Sequence, residues 1–78
     1  MLRSMTKKQV ETSNAKLFGR LVDRLMSEYS LGFSEAVRAI LSTSTWRQIM
    51  DFEEPVYYMD EADQYEVIVR ELKEENLV

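Results

Sequence analysis

Seventy-eight residues, 45% of them apolar and 31% charged, describe one small globular domain. The absence of both Cys and His excludes disulfide staples, zinc sites built on thiolate or imidazole, and any Ser-His or Cys-His nucleophile pair. The net charge of −4 hides an uneven layout: residues 1–20 carry +4, residues 21–50 balance, and residues 51–78 hold ten acids against Arg70 and Lys73. A basic front and an acidic rear either attract each other within one fold or steer two kinds of partner.

The first helix is expected to begin near Thr6, because Thr6-Lys7-Lys8-Gln9 has the spacing of a capping box; Ser13 or Asn14 is a second possible start. Leu17, Phe18, Leu21, Val22, Leu25, Met26 and Tyr29 recur at helical steps and share one face. Lys16, Arg20, Asp23, Arg24 and Glu28 take the other, with Arg20, Asp23 and Arg24 as a local charge ladder. Gly19 lies inside this helix and costs about 1 kcal/mol against Ala, unless another backbone approaches it closely. Ser30-Leu31-Gly32-Phe33 should break the helix, with Gly32 supplying a left-handed stop. Ser34 is expected to cap a second helix, with Glu35 in its first turn and Ala36, Val37, Ile40 and Leu41 as its buried stripe. The hydroxyl run Ser42-Thr43-Ser44-Thr45 favours a turn over helix interior. Ser44 then caps a third helix, Thr45 to Asp51, which buries Trp46, Ile49 and Met50.

In the stretch DFEEPVYYM, Pro55 disfavours helix at Glu54, and Val56, Tyr57, Tyr58 and Met59 read as extended. Asp60 is a suitable N-cap, followed by Glu61 and Asp63 at the positive end of a helix over roughly 61–75. That helix places Ala62, Tyr65, Ile68, Val69 and Leu72 on one face. Its rival is a hairpin, since Tyr65-Glu66-Val67-Ile68-Val69 has strand propensity; the leading acids and the trailing Lys73 favour helix. The expected fold is all-α, a small bundle of four helices with an extended Tyr-Tyr linker before the last. The alternative is α+β with a C-terminal hairpin. One domain is expected to span residues 1–78, with residues 1–8 frayed and 76–78 a short tail.

Catalysis has little to work with. Glu53–Glu54 and Glu74–Glu75 are adjacent and diverge on a helix, and the hydroxyls of residues 42–45 have no base. Asp60, Glu61 and Asp63 lack the glycine and the distal bidentate glutamate of a calcium loop. Gly19 and Gly32 are the only glycines, so a glycine-rich phosphate loop is excluded. No enzyme, cofactor or metal is expected. No run nears the ~20 apolar residues needed to span a bilayer, and MLRSMTKKQ is basic without a following apolar region. The reading is a cytoplasmic protein.

Two resemblances bear on function. LVDRLMSEYSLGFSEAVRAIL is similar to the two helices of a ribbon-helix-helix repressor, which implies a DNA-reading strand just before the first helix. There the chain has QVETSNAKLF, with no consistently apolar face, and the acidic rear would be penalised beside duplex phosphates. The second rests on Ser34-Glu35-Ala36, Trp46, the pair Tyr57-Tyr58 and the closing YEVIVRELKEE, together with the apolar stripes. From about Leu17 to Glu75 the chain resembles small uncharacterised helical bacterial proteins found in toxin–antitoxin-like gene clusters, some beside ADP-ribosyltransferase-like toxins. Glu54-Pro55-Val56 stands where that group has Gly-Leu-Tyr. The resemblance implies a protein-binding role.

The expected function is a non-enzymatic protein-binding module, antitoxin-like or toxin-associated, acting through a helical face and the acidic C-terminal third. Its alternatives are a ribbon-helix-helix transcription regulator and an acidic phage-type nuclease inhibitor. Tyr57, Tyr58, Asp60, Glu61, Glu71, Glu74 and Glu75 are the candidate partner-binding residues, while Trp46 belongs to the core. The partner expected is another protein, a toxin or basic effector, with a homodimer through the Leu17–Tyr29 face as a further expectation. Neither nucleic acid nor membrane is expected.

Overall fold

The stripe that begins at Leu17 organises the chain. The computed structural model describes the backbone of residues 7–78 and the side chains of residues 13–78. Helix α1 (Lys7–Tyr29) is followed by α2 (Phe33–Leu41), α3 (Ser44–Met50), a single 3₁₀ turn over Val56–Tyr58, and α4 (Glu61–Glu74). The fold is all-α, with four helices and no strand among the described residues. Residues 65–69, the rival strand, lie inside α4, where alternate faces of a half-buried strand are replaced by a stripe at helical spacing. Residues 9–18, where a ribbon-helix-helix repressor carries its strand, are helix.

One core collects Leu21, Val22 and Leu25 from α1, Ala36 and Ile40 from α2, Trp46 and Ile49 from α3, Val56, and Tyr65, Ile68, Val69 and Leu72 from α4. Burying each Leu or Ile contributes roughly 1.5–3 kcal/mol, so the six sealed Leu and Ile side chains of this core dominate its stability. Phe18 stacks on Trp46 at a ring distance of 5.0 Å, which places Trp46 in the core. Of the Leu17–Tyr29 face, Leu21, Val22 and Leu25 are buried in this core, and Leu17, Phe18, Met26 and Tyr29 pack partly buried against it.

Several boundaries differ from expectation, each for a local reason. The Thr6 capping box lies outside the described residues, while Ser13 and Asn14 sit within α1 rather than at its start. Ser30 takes the left-handed stop (φ 54°) after α1, one residue past the last helical position. Gly32 is by then extended (φ −72°, ψ 164°) and is itself the N-cap of α2, so Ser34 falls inside the helix. Glu35 reaches back and accepts a hydrogen bond from the Gly32 N–H at 3.3 Å. The hydroxyl run does break the chain, but Thr43 is the cap of α3: its Oγ1 accepts from Trp46 N at 3.1 Å and donates to Ile40 O at 2.7 Å. Met50, Leu41 and Ala62, expected inside, are exposed at the edges of their stripes. The charge ladder gives way to longer reaches: Arg20 pairs with Glu61 and Arg24 with Glu28. The end of the chain tucks back. Asn76 is left-handed (φ 59°), Leu77 N donates to Leu72 O at 2.9 Å, and Val78 packs on the core.

Val56–Tyr58 is a turn, not an extended linker. Pro55 itself has helical dihedrals (φ −84°, ψ −8°), and its fixed φ suits the opening of a helical turn. Tyr58 N and Met59 N then bond to Pro55 O and Val56 O.

A Cβ placed on Gly19 meets nothing within 4 Å, so no backbone approaches it closely. Gly19→Ala should therefore stabilise the protein by about 0.5–1 kcal/mol through unfolded-state entropy, read as a higher thermal midpoint. An unchanged or lower midpoint would mean that α1 needs a glycine there.

Candidate functional site

Seven residues are too few for a helix to persist by itself, so α3 (Ser44–Met50) depends on what holds its ends. At its start the Glu71 carboxylate, reaching across from α4, accepts from Ser44 N (2.6 Å), Thr45 N (3.2 Å), Ser44 Oγ (3.1 Å) and Thr45 Oγ1 (2.9 Å). Together with Thr43 on Trp46 N, this satisfies the N–H groups that a helix start leaves open. Burial works against ionisation of Glu71, but the four hydrogen bonds outweigh it and hold its carboxyl below the ordinary 4.5.

At its other end α3 stops on a phenylalanine. Phe52 adopts a left-handed conformation (φ 57°), and the paired bonds of a helix stop form: Phe52 N to Ile49 O at 3.2 Å and Glu53 N to Gln48 O at 2.9 Å. Glycine is the usual occupant, and a side chain there costs about 1 kcal/mol. The strained backbone presents the Phe52 ring, half exposed, to Tyr57. Phe52 and Tyr57 meet edge to face at 5.1 Å, and Tyr57 and Tyr58 do so at 5.2 Å. The 3₁₀ turn makes this possible, because an extended segment would send the two tyrosines to opposite sides. Tyr57 is half-buried, whereas Tyr58 is 70% exposed. An open cleft runs from Tyr58 and Met59 to Leu17 and Arg20 of α1.

The candidate partner-binding residues fall into two groups. Tyr57, Tyr58, Asp60 and Glu61 come together at the start of α4, with Asp60 as its exposed N-cap. Glu61 is engaged by Arg20 at 2.8 Å. Glu71, Glu74 and Glu75 lie ten or more residues further along, about 15 Å or more away along the helix axis. Of these, Glu71 is committed to holding α3, while Glu74 and Glu75 are exposed. Phe52 was not among the candidates, although an aromatic ring between acids and just past a helix end has no stripe to join, which is a readable signal.

A second polar constellation sits between α1 and α4. The Arg24 guanidinium lies over the Tyr65 ring at 4.2 Å and pairs with Glu28 at 2.9 Å, and the Tyr65 hydroxyl donates to Glu28 at 3.0 Å. The Arg24 and Tyr65 hydrogen bonds lower the Glu28 carboxyl, while burial and the bond to Glu28 push the Tyr65 phenol well up. Every member is satisfied, so this constellation ties helices together. Among the described residues no three Asp, Glu, His or Cys side chains gather as a metal site requires. No helix among them is long and apolar enough to cross a membrane. No family model, curated protein or solved structure matches the chain.

Glu71 binds its proton less tightly in the folded chain than in the unfolded one, so its contribution to stability is complete above about pH 4.5 and is lost as the pH falls through the depressed folded value. Glu71→Gln should lower stability by about 1–2 kcal/mol at pH 7 and flatten the acid limb of the stability curve. Denaturant melts between pH 3 and 7 (about the window in which carboxylates titrate) check this. A variant with the wild-type acid limb would remove Glu71 from that role.

Proposed function

We propose that the chain is a non-enzymatic protein-binding module that docks its partner on the Phe52–Tyr57–Tyr58 ladder. The carrying observation is that three aromatic rings meet edge to face, with Phe52 and Tyr58 exposed and Tyr57 half-buried, and that the Phe52 backbone is strained. Two edge-to-face contacts contribute about 0.5–1.5 kcal/mol each, and the left-handed phenylalanine costs about as much as one of them. Folding therefore gains little from this arrangement. Rigid, half-exposed aromatics are, by contrast, what interfaces use as anchors.

The resemblance to small proteins of toxin–antitoxin-like clusters supports an antitoxin-like or toxin-associated role in the cytoplasm, with a toxin or effector protein as the partner. The absence of His and Cys from the sequence supports a role without catalysis. The helical backbone over residues 9–18 weighs against ribbon-helix-helix DNA reading.

Tyr58→Ala removes an exposed ring, and Phe52→Gly relieves a strained stop as it removes another. Both should fold with stability within about 1 kcal/mol of the parent chain. Both should retain roughly tenfold less of the partner that the parent chain captures from lysate of its native cells, quantified by mass spectrometry. Equal capture by both variants would reject the ladder as the docking surface.

A further inference from the structure

The ladder is embedded in acid. Residues 51–61 contain Asp51, Glu53, Glu54, Asp60 and Glu61 and no basic residue. Only Glu61 is held in an ion pair among the described residues, by Arg20; Asp51, Glu53, Glu54 and Asp60 are exposed and in none. The cation lining the adjoining cleft, Arg20, is already engaged by Glu61, and the exposed Phe52 and Tyr58 rings, with unengaged carboxylates at neighbouring positions, form an aromatic surface with an acidic rim. Its complement is a cation that stacks flat on a ring while its edge meets a carboxylate, which is the chemistry of arginine more than of lysine.

The chain already contains that arrangement once. Arg24 lies over the Tyr65 ring at 4.2 Å while its Nε bonds to Glu28 at 2.9 Å. The ladder offers exposed rings with exposed carboxylates at neighbouring chain positions, and among the described residues no guanidinium lies over those rings. Building on the protein-binding reading above, we infer that the occupant of the Phe52–Tyr57–Tyr58 surface is an arginine-rich segment of a partner protein, with guanidinium groups on Tyr58 and Phe52 and their edges toward Asp51, Glu53, Glu54 and Asp60. This moves the recognition of a basic partner away from Glu74 and Glu75 at the end of α4. It also sets a division of labour: the rim carboxylates govern the association rate and its salt dependence, and the rings govern residence.

The test is a titration of the ¹⁵N-labelled chain with nona-arginine, nona-lysine and nona-glutamate peptides at about 0.15 M salt, where distant surface charges are screened. Nona-arginine should shift the amides of residues 51–61, bind several-fold more tightly than nona-lysine, and lose about tenfold in affinity in Tyr58→Ala and in Phe52→Gly. Nona-glutamate should leave the spectrum unchanged. The inference is overturned if nona-arginine fails to bind, if its shifts centre on Glu74 and Glu75, or if both ring variants bind it as the parent chain does. A native partner whose capture depends on Tyr58, in a chain that ignores nona-arginine, overturns the basic occupant and leaves the docking surface standing. Loss of Tyr58 dependence in both experiments removes the docking surface as well.

Discussion

One carboxylate holds α3 and the aromatic ladder beyond it in place. Glu71 spans 27 positions of sequence to reach Ser44 N at 2.6 Å and three further donors on Ser44 and Thr45. A helix of seven residues has almost no stability of its own. Pinned by Glu71 and Thr43 at one end, and anchored through Trp46 and Ile49 in the core, α3 becomes a fixed strut between α2 and the 3₁₀ turn. Its last carbonyls then set the left-handed Phe52, and Phe52 sets the ring ladder. The chain of dependence runs from an α4 acid, through a short helix, to an aromatic surface that the core itself does not need.

That layout separates two uses of charge. At the α1–α4 seam and at the start of α3, acids are consumed by partners within the chain: Glu28 by Arg24 and Tyr65, Glu61 by Arg20, Glu71 by the α3 start. Exposed ion pairs such as Arg20–Glu61 contribute at most about 1 kcal/mol, so they orient the helices more than they stabilise them. Along residues 51–60 the acids engage no cation among the described residues. The excess of negative charge in the rear of the sequence is thus partly structural and partly a field around the ladder.

What the sequence discloses follows how far each interaction reaches. Apolar spacing is a local record of burial, so Leu21, Leu25, Ile40, Ile49, Ile68 and Leu72 were legible as core, and the helix over 61–74 was legible from Asp60 and the acids that follow it. Helix ends were less so. Gly32 looked like the stop for α1, yet Ser30 is the stop and Gly32 begins α2, because two helices share a three-residue joint and each claims the nearer residue. The turn at Val56–Tyr58 was hidden by the strand-like look of two tyrosines after a proline. Phe52 was hidden by chemistry, since a bulky side chain at a left-handed stop runs against the preference for glycine. In the sequence Glu71 looks like the other partner-binding candidates of the acidic rear, because nothing local records a bond to Ser44.

In this structure α3 preorganises the aromatic surface in the free chain, with no partner needed to assemble it. Ring-to-ring nuclear Overhauser contacts in the free protein at neutral pH test it most directly. Contacts are expected from Phe52 to Tyr57 and from Tyr57 to Tyr58, as their centroid separations of 5.1 and 5.2 Å require. Rings that show no mutual contacts in the free chain would contradict it.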